Sequence, residues 1–84
     1  MQSDDIAFRR AILASPADTT LKLVYADWLQ ERDDLRAQFM RLQVELHTTR
    51  TSAAAVEAAA WFLRVGGQLD TDWVAFIRKS FARA

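Results

Sequence analysis

Eighty-four residues suffice for one small domain, and a chain this short buries only about 60–65% of its unfolded surface, so it needs a rich apolar complement. It has one: 51% of the residues are hydrophobic, with three Trp and five Phe, each large ring contributing roughly 1.5–3 kcal/mol when buried. Eleven basic residues balance eleven acidic ones, so no net field draws the chain to nucleic acid or an anionic membrane. The absence of cysteine excludes disulfides, thiolate metal sites and thiol catalysis.

The pattern predicts an all-α fold, a compact bundle of four to five short helices built on an antiparallel helix hairpin. A single domain spans 1–84, with helices over about 4–14, 20–32, 35–48, 53–65 and 71–82. The N-terminal MQSDDIAF carries acids where a signal peptide carries basic residues, and no run approaches the roughly 20 apolar residues that cross a bilayer. A cytoplasmic address, with no membrane partner, is the expectation.

In helix one, Ser3 is the expected N-cap, Asp4 and Asp5 suit the positive end of the dipole, and Phe8, Ala11 and Ile12 form the inner face. Ser15-Pro16 ends it, because a residue before proline is pushed out of helical angles. Asp18, Thr19 and Thr20 can cap helix two, where Leu21, Val24, Tyr25, Trp28 and Leu29 share one face. After the turn at Asp33-Asp34, with Asp34 as cap, helix three carries the stripe Leu35, Phe39, Leu42 and Leu46. Counting outward from the turn sets Trp28 opposite Phe39, Val24 and Tyr25 near Leu42, and Leu21 near Leu46. The same count sets Asp27 near Arg41 and Glu31 near Arg36, as candidate structural ion pairs. Asp27 sits among few polar neighbours. It is either a flank carboxylate held by Arg41 or a hydrogen-bond network, or a functional acid or partner-docking charge.

Thr51 or Ser52 caps helix four, a strong helix former with six alanines and only Glu57 and Arg64 charged, two turns apart on one side. Val56, Ala60 and Leu63 make one apolar face, and Trp61 and Val65 another. A helix apolar on most sides is central or covered from outside the chain. Trp61 and Val65, with Trp73 of helix five, are the candidate partner surface. Gly66-Gly67 should stop helix four in a left-handed cap, with Leu69 folding back. Asp70 or Thr71 caps helix five, whose apolar face is Trp73, Val74, Ile77 and Phe81. Arg78, Lys79 and Arg83 cluster near its end, where cations suit the dipole; a basic docking patch is the other reading.

Chemistry-bearing motifs are scarce. His47 is the only histidine and has no ligand set around it, so no metal site is expected. The serines lack a nucleophile motif, and the paired acids at helix ends are explained by capping. No catalytic residue, cofactor or small-molecule substrate is indicated, and the expectation is a protein that is not an enzyme. Helices two and three could imitate a helix-turn-helix. However, Phe39 and Leu42 are claimed by the core, and Arg36, Arg41 and Arg50 are not gathered at the start of the second helix.

The hairpin string LVYADWLQERDD followed by LRAQFMRLQ resembles the signature of the bacterial repeat-companion domain, approximately LVYADWLEERGDPRAEFIRLQ. The close match covers Leu23 to Gln43, and FRRAILASPAD and LRVGGQLDTDWVAFI are similar to the family's flanks. The family is usually found at one end of larger proteins that carry leucine-rich or similar repeats. Its molecular role is not established, so the resemblance transfers no functional residue. Two departures stand out: Asp33 replaces the family's glycine, and Leu35 its proline. Together these readings favour a non-catalytic protein–protein interaction or accessory module, able to self-associate or to cap another protein. The alternative is a small helical nucleic-acid-binding domain.

Overall fold

In the computed structural model, the backbone is described from Gln2 to Ala82 and the side chains from Asp4 to Ala82. Five α-helices follow one another: α1 (Gln2–Ala14), α2 (Thr19–Gln30), α3 (Arg36–Thr49), α4 (Ser52–Val65) and α5 (Thr71–Ala82). A short 3-10 turn, Gly66–Gln68, joins the last two, and no strand occurs among the described residues. The helix limits lie within two residues of those read from the sequence. Helix one starts earlier, at Gln2, so Ser3 falls inside it; its side chain lies outside the described residues.

Local chemistry sets the ends. Asp18 Oδ1 accepts the Leu21 N–H at 3.0 Å, Thr51 Oγ1 accepts that of Ala54 at 3.1 Å, and Asp70 Oδ1 that of Asp72 at 2.9 Å. α2 closes in a Schellman arrangement: the Asp34 N–H reaches the Leu29 carbonyl, and the Asp33 N–H that of Gln30, both at 3.0 Å. This turn needs a left-handed residue, and Asp33 supplies it at φ 53°. Arg50 does the same at the end of α3, at φ 54°. Neither glycine has positive φ, so the expected left-handed glycine stop of α4 is not what forms. Gly66 continues into the 3-10 turn and leaves room for a ring: a Cβ there would sit 2.4 Å from Phe62 Cδ1. Leu69 does fold back and is buried.

α2 and α3 form the most extensive backbone pairing, followed by α3 with α4. α5 approaches the others chiefly through long side chains. Trp73 lies 6.5 Å from Tyr25 of α2 and 5.6 Å from Phe39 of α3, ring centre to ring centre. Aromatic rings thus act as spacers that fill the middle of the bundle. The Cα radius of gyration, 12.2 Å, matches the roughly 12 Å of a globule this long.

The hairpin is turned from its expected register. The inward face of α2 is Lys22, Tyr25, Ala26 and Leu29, all buried, while Val24 is 49% exposed. Trp28 is therefore half-buried and swings towards α1, with its ring 5.6 Å from Phe8 and the Arg32 guanidinium 4.0 Å above it. Phe39 does not face Trp28; it is buried against Trp61, Phe62 and Trp73. Lys22 enters the core because its methylene stem is apolar and its ammonium rests 3.6 Å over the Phe81 ring. That burial lowers the pKa of its amine.

Candidate interaction surface

Two places carry groups that could do more than hold the fold: a buried polar cluster at the junction of α1, α2, α3 and α5, and the outer side of α4. The cluster centres on Asp5, which the sequence presents only as a dipole-matched acid. Its carboxylate is almost fully buried and receives the Tyr25 hydroxyl at 2.5 Å and Arg36 Nη1 at 3.2 Å, both on Oδ1. Arg9 Nε stands 2.8 Å from Oδ2. This is a charge contact rather than an aligned hydrogen bond, since that buried nitrogen has no hydrogen-bond partner. The Tyr25 oxygen in turn accepts the indole N–H of Trp73 at 3.1 Å.

Arg36 also grips Asp34 through Nε and Nη2, the latter at 2.7 Å from Oδ2. The expected Glu31–Arg36 pair gives way to this one, because Asp34 already sits at the start of α3 with its Oδ1 on the Arg36 N–H. Burial would push the Asp34 carboxyl up, but the Arg36 side-chain bond, its backbone N–H and its charge outweigh that and hold it below the usual range. Tyr25 is pushed up, first by burial and then by its bond to Asp5. Tyr25 is 0% exposed and its hydroxyl is engaged both as donor and as acceptor, while the Arg36 and Asp34 side chains remain 19% and 28% exposed.

The other expected sites are placed as follows. Arg41 Nη2 meets Asp27 Oδ1 on the surface, and the Asp27 side chain is 68% exposed, so it is not a costly buried charge. His47 stacks on Phe81 at 4.6 Å between centroids and donates from Nδ1 to the Gln43 carbonyl at 2.9 Å. Arg78 lies over the Phe62 ring at 4.8 Å, while Arg83 lies outside the described residues. No three His, Asp or Glu groups gather as a metal site among the described residues, and no helix among them is long and apolar enough to cross a membrane.

The candidate partner surface of Trp61, Val65 and Trp73 is corrected by burial. Trp73 is 1% exposed, at the centre of the core. Trp61 is 8% exposed, with its indole N–H on Gln38 Oε1 at 2.7 Å, and Val65 is half-buried. Large rings are the most favourable groups to bury, so α4 turns Ala54, Ala58 and Trp61 inward and leaves its other apolar face outside. There Val56 is 68% exposed and Leu63 87%. Ala59 is exposed and Ala60 half-exposed between them, and Glu57 and Arg64 lie along one flank. The opposite flank opens into a shallow groove whose lining is mostly apolar, with Leu46, Ala59, Phe62 and Leu63, but also includes Gln43 and Arg78.

No family model, no curated protein and no solved structure matches the chain.

Proposed function

We propose that this chain is a non-catalytic interaction module that docks through the outer face of α4. The observation that carries this reading is the pair Val56 and Leu63, large, exposed and two turns apart on one apolar stripe. A fully exposed leucine forgoes roughly 1.5–3 kcal/mol that burial against a partner would recover. The resemblance of Leu23–Gln43 to the repeat-companion signature supports an accessory role, since such domains accompany repeat arrays and the end of an array presents an apolar face to be covered. The saturated state of the Asp5–Tyr25–Arg36 cluster supports a structural rather than a chemical use of the buried polar groups. A cytoplasmic setting, in keeping with the cysteine-free composition, is part of the reading.

A photo-crosslinking residue placed at Leu63, with a second version at exposed Gln30 on α2 as control, tests this in cells expressing the chain. Discrete protein adducts from position 63 and none from position 30 are expected. Equal labelling from both, or none from either, overturns the reading.

A further inference from the structure

The charges beside the stripe say which partner fits it. Glu57 and Arg64 are seven residues apart, as are Val56 and Leu63, so the flank and the stripe repeat with the same period. Neither charged residue has an ion-pair partner among the described residues, and both lie too far apart along the helix, about 10 Å, to pair with each other.

Consider a second α4 laid against the first with its direction reversed, about a two-fold axis across the helix near Ala60. That operation keeps the charged flank on the same side of both helices. With the axis at Ala60, it brings Glu57 to within one residue, about 1.5 Å, of the level of the partner's Arg64, and Arg64 equally near the partner's Glu57. Val56 comes equally near the level of the partner's Leu63, and Ala60 opposite the partner's Ala60, where small side chains let the backbones approach. A parallel pairing sends the two charged flanks to opposite sides of the interface and leaves all four charges unmatched. The Glu57–Arg64 flank of α4 is therefore self-complementary in charge when antiparallel and not when parallel, as an isologous contact requires.

We propose that a second copy of this chain seats antiparallel on the outer face of α4, with Val56 and Leu63 interdigitating and Glu57 paired with the partner's Arg64. The proposal rests on α4 being the docking face. The stripe from Val56 to Leu63 covers only two helical turns, about 10 Å, which is short for the roughly 1,200 Å² or more that standard stable interfaces bury. The dimer is accordingly weak and exchanging, populated at high protein concentration.

Sedimentation equilibrium from about 10 µM to about 1 mM tests this on the intact chain, with thermal melts confirming that each variant folds. The wild type is expected to pass from a 9.6 kDa monomer towards twice that mass. Leu63→Glu should weaken the dimer at least tenfold. Glu57→Arg, which places like charges together on both sides of the axis, should weaken it severalfold. The double variant Glu57→Arg with Arg64→Glu should return to within about twofold of wild type. A wild type still monomeric at 1 mM, a dimer indifferent to Leu63→Glu, or a double variant no better than Glu57→Arg overturns the proposal. Crosslinks from position 63 to a different protein, alongside a monomeric wild type, would leave α4 as the docking face and remove only the second copy.

Discussion

Polar atoms at the junction of α1, α2, α3 and α5 are buried and, Arg9 Nε apart, hydrogen-bonded, whereas apolar atoms along the outside of α4 are exposed and unmatched. The two regions break opposite rules of thumb. At the junction, Asp5, Tyr25 and Arg36 sit where hydrocarbon would be expected. They are tolerated because nearly every donor meets an acceptor across three helices and the Trp73 indole closes the set. Along α4, Val56 and Leu63 sit where polar residues would be expected, and both stay largely exposed among the described residues. The first arrangement is explained by the fold alone. The second is not, and that asymmetry favours α4 over the cluster as the docking face.

The largest expected effect tests the first half of that contrast. Tyr25→Phe preserves the ring stacked 5.0 Å from Phe8 but removes the hydroxyl. Trp73 Nε1 is then a buried donor without an acceptor, and Asp5 loses its shortest bond. A loss of about 1–3 kcal/mol of stability is expected, read by urea unfolding. A variant as stable as the parent would show that the cluster contributes nothing net, and the contrast with α4 would collapse.

Acid titration probes the same region more gently. The folded-state pKa of Asp34 is lowered by Arg36, so the unfolded chain binds its proton first as pH falls. Its contribution is therefore fully present above the ordinary carboxylate value and is lost as pH drops through the lower, folded value. Unfolding free energy should decline below about pH 4, and Asp34→Asn should flatten that decline. Equal slopes for parent and variant would mean that the Arg36 grip is absent in solution.

The sequence discloses these regions unequally, for physical reasons. Helix limits and caps such as Asp18, Thr51 and Asp70 are local, decided by neighbours a few residues away, and they can be read directly. So can the all-helical class. The rotation of α2 is less accessible, because periodicity reveals a stripe but not its centre when Lys22 and Tyr25 are both apolar along most of their length and polar at the tip. The Asp5 cluster is invisible for a different reason: its members are separated by 20, 31 and 48 positions, and no local rule relates them. On α4, both faces are visible as apolar, but the choice between them depends on which one meets Phe39. That is settled by ring packing between α3 and α4, not by α4 itself.

The smallest expected effect bears on the second half of the contrast. If the outer face of α4 plays no part in the monomer's stability, Leu63→Gln should change unfolding free energy at low protein concentration by no more than about 0.5 kcal/mol, despite exchanging a large apolar side chain for a polar one. Glutamine has nearly the helix propensity of leucine, so the backbone gives no reason for a shift. A loss of 2 kcal/mol or more under dilute conditions would mean that Leu63 is covered by the chain itself. The exposure on which both the docking face and the antiparallel pairing depend would then be absent. A near-zero change in dilute solution, growing into a measurable destabilisation as protein concentration rises, is the pattern expected when burial of this residue comes from association.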